Sequence, residues 1–197
     1  MSEVAAQVRP LAGGEKVRWT AADIALLPQN EFTRYEIIDG DLHMSRQPSW
    51  EHQNTCGRIY AELLIWSRSS KLGEPSINPG ILFSDVDNVI PDVVWISFER
   101  LKALKDPAGH LTGAPELVVE VLSYGEQNEA RDRQAKLKLY TVYGMQEYWI
   151  ADWRLKQMEI YRRERDRLRL TATLFAQDEL TSPLLPGFAC PVGRLFE

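Results

Sequence analysis

Two carboxylates stand in runs that otherwise suit a protein interior. Asp92 interrupts VIPDVVWI (89–96), and Glu120 interrupts ELVVEVLS (116–123). An unpaired ionised carboxylate among apolar neighbours costs several kcal/mol or takes up a proton. The compensation is a basic partner, a hydrogen-bond network or a metal ion. Two oxygen-rich side chains on neighbouring strands suit a hard divalent cation such as Mg2+ or Mn2+, which one or two carboxylates commonly hold. A buried ion pair or a strand-end hydrogen bond is the plainer alternative. A third group follows in the chain: Asp132, Lys136 and Tyr140 recur every fourth residue, on one face of a helix. That pattern fits a surface ion pair followed by a packed tyrosine. It also fits an ammonium brought into the cleft of Asp92 and Glu120, where it would offset charge on a phosphate.

The elements that would position these groups can be read from periodicity. Thr20 and Asp23 form a capping box ahead of a short helix that stops at Pro28. Asp39-Gly40 sits between two short strands and marks a hairpin. A helix is expected from about Pro48-Ser49 to Gly73, with Cys56, Ile59, Tyr60, Leu63, Leu64 and Trp66 at helical spacing. Residues 77–83 read as a strand broken by Pro79-Gly80, and 89–96 as one strand with its proline near the start. Residues 98–104, FERLKAL, read as a short helix. The run around Glu120 has the near-continuous apolar character of a central strand. A long helix is expected over 126–143, then three strands, EYWIAD, QMEIYRR and LRLTATLF. Helices and strands mix along the chain, so the fold class is α+β (α/β), in a single domain over 18–197 behind an N-terminal arm, 1–17.

Composition narrows the function. The chain has 197 residues, 44% hydrophobic and 26% charged, with a net charge of -5. Such a balance excludes a protein that coats nucleic acid or anionic membrane by bulk charge. No apolar run approaches the ~20 residues that span a bilayer, and the first residues hold no apolar leader segment, so a cytoplasmic protein is expected. Cys56 and Cys190 are far apart and read as reduced thiols. His43, His52 and His110 form no zinc-binding motif, and GxSxG, GxxxxGK[ST] and GxGxxG are absent.

Taken in order, the segments resemble the PD-(D/E)XK nuclease superfamily, and within it the bacterial Uma-two family of restriction endonuclease-like proteins. The residues that carry the likeness are Tyr35-Glu36-Ile37-Ile38-Asp39-Gly40, Pro48-Ser49-Trp50-Glu51-His52-Gln53 and Pro91-Asp92-Val93-Val94. They continue with 114–123, APELVVEVLS, then Asp132, Lys136-Leu137 and Tyr140, Glu147-Tyr148-Trp149-Ile150, and 182–187, SPLLPG. The resemblance implies a restriction-endonuclease-like mixed sheet flanked by helices and a Mg2+- or Mn2+-dependent endonuclease acting on nucleic acid, DNA foremost. Asp92 would match the motif aspartate and Glu120 the acidic residue of (D/E)XK, both as metal ligands beside a backbone carbonyl near Val121. Leu122 stands where the superfamily has its lysine, which points to Lys136 on the next helix, with Lys138 as the alternative. Glu36 is the further acid that would approach a metal. Tyr124 departs from the family's usual proline.

Between residues 154 and 169, seven basic residues face three acidic ones, a net +4 that leaves -9 for the rest of the chain. Arg162, Arg163 and Arg165 are thus candidates for a nucleic-acid rim, although a solvated hairpin explains them equally. Two competing functions share these features. One is a catalytically inactive nuclease-fold module that binds or regulates. The other is a glycosidase built on the Asp/Glu pair, which leaves the lysine helix without a role. The resemblance also implies a homodimer as one option, since many nucleases of this fold pair to cut both strands of a duplex.

Overall fold

The computed structural model describes residues 17–28, 33–45 and 47–197. The expected N-terminal arm lies outside the described residues except for Val17. After a one-turn helix α1 (Ala21–Ile24), closed by the Thr20–Asp23 capping box, the hairpin β1 (Arg34–Ile38) and β2 (Asp41–Ser45) turns at Asp39 and Gly40. Both turn residues have positive φ, 52° and 77°. That is the mirror-image turn whose twist matches paired strands and which Asp-Gly favours.

Helix α2 (Trp50–Ser70) begins where Ser49 accepts a hydrogen bond from the His52 backbone N–H. It ends three residues earlier than the sequence predicts, with Lys71 in the left-handed conformation. Gly73 is instead the first residue of β3 (Gly73–Ile77). A Cβ there would fall onto the Ile96 carbonyl oxygen, and this close strand approach is why the position is glycine.

β4 (Ile81–Ser84), β5 (Asp87–Val89), β6 (Val93–Ser97), helix α3 (Phe98–Leu104) and β7 (Leu117–Val121) follow. The expected single strand over 89–96 is in fact two. Pro91, which lacks an N–H for a ladder, lies in the crossover between β5 and β6, and these strands belong to different sheets. Asp92 therefore occupies a strand junction, not a strand interior.

The long helix after β7 is also not uniform. It runs as α4 (Glu126–Ala130), a π-helical stretch (Arg131–Lys136) and α5 (Leu137–Val142). β8 (Glu147–Asp152), β9 (Gln157–Glu164) and β10 (Arg167–Phe175) form the expected meander, and β11 (Glu179–Thr181) and β12 (Ala189–Pro191) close the chain with a 3-10 turn over Val192–Phe196.

The strands assemble into a six-stranded sheet in the order β10-β9-β8-β7-β6-β3 and a four-stranded sheet in the order β2-β1-β5-β4. Among the described residues only β7 and β8 pair in parallel within the larger sheet, and the helical crossover joins them. The fold is thus mixed α+β, with multi-stranded sheets flanked by helices.

The alternation of β7 divides the core between the sheet's two faces. Leu117, Val119 and Val121 pack with Cys56, Ile59, Leu63 and Trp66 of α2 and with Leu185 and Phe188 of the C-terminal segment. Val118 and Leu122 pack with Leu139 and Tyr140 of α5 and with Ile38, Ile81 and Val89 of the second sheet. Trp66 ties the C-terminal segment down by donating from Nε1 to the Pro186 carbonyl at 3.1 Å.

Candidate active site

The antiparallel register of β6 and β7 pairs Val93 with Val119. One residue further, Asp92 stands opposite Glu120, so the two interior carboxylates meet because of strand pairing. Both are buried and line one recess of about 40 Å³, together with Arg34, Glu36, His52, Arg131 and Lys136.

Lys136 is the hub. Its side chain is 2% exposed, and Nζ lies 2.9 Å from Glu120 Oε1, 2.9 Å from Glu36 Oε1 and 3.9 Å from Asp132 Oδ1. Burial works against its charge, but the three carboxylates outweigh burial and hold the ammonium above its ordinary range. Tyr140 donates to the same Glu120 oxygen at 2.8 Å. The Ile90 N–H donates to Glu36 Oε1 at 2.8 Å, so Glu36 also clamps the β5–β6 crossover.

The π-helical stretch explains how two cations reach this recess from one helix. In a regular α-helix, residues five apart point about 140° away from each other. An i→i+5 ladder winds more slowly and brings them to within about 50° of each other, on one side of the helix. Arg131 and Lys136 are five apart and line the same recess. Lys138, the alternative lysine, is 74% exposed and pairs with Asp39 at 3.6 Å.

Asp92 is held differently. Oδ2 accepts from the Val121 N–H at 2.9 Å and lies 3.2 Å from His52 Nε2. Burial tends to raise this carboxyl, yet the His52 and Val121 hydrogen bonds, helped by Lys136, keep it below the usual carboxylate range. His52 Nδ1 in turn meets Cys56 Sγ at 3.5 Å. Burial pushes the Cys56 thiol up, so it keeps its proton beside the ring. Sequence reasoning missed His52 as a site residue. The signal was its spacing of four from Cys56 on the buried stripe of α2.

Four carboxylates share this region with Lys136, Arg131 and the partly exposed Arg34. The cluster is short of positive charge, and Glu120 shows it. Burial pushes this carboxyl up to about 8; Asp92, Asp132 and Glu36 add to the push while Lys136 opposes it. Among the described residues, Asp92 Oδ1 and Glu120 Oε2 make no hydrogen bond. An acid excess with spare carboxylate oxygens fits a hard divalent cation. Glu36 fits less well as a ligand, since its Oε1 is engaged by Lys136 and Ile90. A softer donor set adjoins it: His52, Cys56 and Asp92 offer ligand atoms within 4.8 Å of one another.

The proposed arginine rim is not brought to this site. Ile150 pairs with Glu120 on one side and Glu159 on the other, whereas Arg162 pairs with Glu147, three residues further along β9. That is about 10 Å toward the opposite end of the sheet. Arg162 bonds Glu147 at 3.1 Å and the Thr181 carbonyl at 2.8 Å, and Arg163 donates to the carbonyls of Met145 and Thr141. Arg165 lies in the β9–β10 turn. The charge run thus serves strand and segment anchoring at its near end and solvent at its tip.

No curated protein matches the chain. The chain resembles the crystal structure of a "putative nuclease belonging to DUF820" from Anabaena variabilis ATCC 29413, with a TM-score of 0.72 and 16% identity over 90% of this chain and 97% of that one. That likeness establishes the fold. The sequence model of the Uma2 family, described as "Putative restriction endonuclease", matches residues 21–193. With nearly its whole described length matched, the chain belongs to the Uma2 family of restriction endonuclease-like proteins.

Proposed function

We propose that this protein is a divalent-metal-dependent endonuclease that hydrolyses phosphodiester bonds in nucleic acid, DNA foremost, in the cytoplasm. The observation that carries the reading is the acid-rich recess in which Asp92 and Glu120 stand opposite each other with Lys136 buried between Glu120 and Glu36. Asp92, Glu120 and the Val121 carbonyl would hold Mg2+ or Mn2+, which supplies Lewis acidity and a more acidic bound water when present.

The chain's own groups do the rest. His52 and the Val121 N–H fix Asp92 through Oδ2, which turns Oδ1 toward the recess. Lys136 and Tyr140 fix Glu120 through Oε1. Arg34 and Arg131 line the recess and would meet the non-bridging oxygens of the scissile phosphate. The Lys136 ammonium would offset charge that develops on that phosphate. Glu36 and Asp132 are positioning residues, because they act by holding Lys136.

The test is cleavage of single- and double-stranded DNA and RNA by purified protein in Mg2+ or Mn2+. Wild type should cut, EDTA should stop it, and Asp92→Asn or Glu120→Gln should lose at least 100-fold in rate. Equal activity of the wild type and both variants, or inertness of all three on every substrate, would sink the assignment.

One observation favours a second reading, an inactive nuclease-fold module. Among the described residues no side-chain nitrogen or oxygen that is sealed from solvent lacks a hydrogen-bond partner, so the sealed part of the cluster needs no ion to be satisfied. Nucleic-acid binding that is unchanged by EDTA, with no cleavage, would favour that module.

A further inference from the structure

Beyond the recess, the surface carries aromatic rings that the core does not use. Tyr124, four residues after Glu120, is 62% exposed, and Trp50, the first residue of α2, is 77% exposed; neither belongs to a core cluster. Tyr124 is nevertheless held. Its ring meets Trp153 edge-on, with centroids 5.1 Å apart and planes at 88°. Trp153 is fixed in turn by its Nε1 donating to the Leu122 carbonyl at 3.0 Å. The Arg154 guanidinium lies 5.7 Å from the Tyr124 centroid and is itself engaged by Asp152 and Glu129. A large ring kept exposed and yet oriented is suited to receiving a flat partner.

The rings line two grooves, one opening from the recess and one on the other side of the α2 N-terminus. One, of about 360 Å³, has Tyr124 in its wall and shares His52, Ser123 and Arg131 with the recess, so the two are continuous. The other, of about 450 Å³, lies across the first turns of α2 and is lined by Trp50, Trp153, Arg58 and Lys156. Among the described residues Arg58 and Lys156 have no ion-pair partner. Glu51 and Glu197 also line this groove, so charge alone does not define its occupant. The aromatic rings do.

We infer that the grooves on either side of the α2 N-terminus bind a single-stranded stretch of nucleic acid, with unpaired bases stacked on Tyr124 and Trp50. In a duplex each base face is covered by its neighbours, and exposed protein rings find nothing to stack on. An unpaired base offers its face, and stacking on an aromatic side chain is sequence-tolerant. The recess itself, at about 40 Å³, has room for little more than a phosphate oxygen or a water, so the flanking nucleotides must lie in the grooves. A single strand also needs only one catalytic site per cut. The inference rests on the nuclease reading and names its substrate class.

The experiment is fluorescence anisotropy with labelled 15-nucleotide oligo-dT, oligo-U and a blunt DNA duplex of the same length. It uses the full chain both as Glu120→Gln and as wild type in EDTA, so that no cleavage intervenes. The expected result is that one or both single strands bind at least tenfold more tightly than the duplex, with the oligo-dT and oligo-U arms assigning DNA or RNA. Tyr124→Ala and Trp50→Ala should each weaken single-strand binding about tenfold. Tyr124→Phe and Trp50→Phe should keep it, which separates stacking from loss of fold. Duplex binding as tight as single-strand binding, or alanine variants that bind single strands like the parent, would overturn the inference while leaving the nuclease reading intact. Failure to bind any of the three would overturn both.

Discussion

Replacing Lys136 with Met is the sharpest probe of the charge arrangement. Met has a similar reach and no charge, so the change empties the hub without leaving a large void. Glu36, Glu120 and Asp132, all buried, then lose the ammonium at 2.9, 2.9 and 3.9 Å. Only Arg131, 3.1 Å from Asp132, remains within salt-bridge distance of any of them among the described residues. Removing one partner of a buried ion pair typically costs about 3–5 kcal/mol. For a chain of this size that corresponds to a melting temperature lower by about 6–20 °C. The pH dependence gives the stricter test. Glu120 is pushed up to about 8 even with the lysine present. Without it, Glu120 rises further, because Lys136 is the group that opposes the push. An acid whose folded pKa is raised is neutral in the folded state at low pH and adds no penalty there. The penalty grows as pH climbs from the unfolded value, near 4.3, to the folded one. The deficit of Lys136→Met relative to wild type should thus be largest near pH 8.5 and shrink toward pH 5. Thermal melts in EDTA followed by circular dichroism at both pH values check it. Adding Glu120→Gln should recover part of the loss at pH 8.5. A variant that melts with wild type at pH 8.5, or a deficit independent of pH, would refute the account of Lys136 as the charge that holds these carboxylates.

Three further outcomes are expected. Millimolar Mn2+ should raise the melting temperature of wild type by several degrees, as about 2.7 kcal/mol follows from ligand at 100 times its Kd, and Asp92→Asn should abolish the rise; a shift that survives the substitution would place the ion elsewhere. His52→Gln should fold and yet lose about 10- to 100-fold in activity, because Asp92 loses the group that orients it; wild-type rates would remove His52 from the site. Asp152 is buried, and although burial opposes it, the Arg154 side chain and backbone hold its carboxyl below the usual range. Its contribution is complete above about pH 4 and is lost as pH falls toward the depressed folded value, so urea denaturation of Asp152→Asn should show a flatter acid limb than wild type.

The sequence marks the site most clearly where charge interrupts an apolar run. Glu120 lies inside a central strand, where no surface explanation is available, and Asp92 sits beside a proline at a strand junction. Both were visible from sequence alone because burial of a charge needs compensation. Lys136 was visible only through order along the chain, since its spacing from Asp132 and Tyr140 suits an ordinary surface helix as well. His52 stands in one of the segments that carry the family likeness, but its place in the first turn of an amphipathic helix gave no sign that it reaches Asp92. Two structural breaks were hidden for a related reason. The π-helical stretch has the composition of an α-helix, and the split at Pro91 depends on which sheet each half joins. The arginines of 162–165 show the limit of counting charge: a run of like residues does not say which end of a sheet it occupies, nor that carbonyls and Glu147 already claim two of the three.

The π-helical stretch from Arg131 to Lys136 means that this helix carries one residue more than a regular backbone needs. Gln134, exposed within it, is the residue whose removal would cost least in packing. Dropping it would let the segment relax into uninterrupted α-helix, with better backbone bonding. After that deletion Arg131 and Lys136 would stand four apart on a regular α-helix, about 40° from each other, so both would still face the recess. Leu139 and Tyr140 anchor the C-terminal half in the core, and the half bearing Arg131 and Asp132 would keep nearly the same bearing against it. The surplus residue is therefore absorbed where it stands: the backbone widens locally and the side chains on either side keep their faces. In this fold a chain shortened at Gln134 would keep the site on a more regular helix.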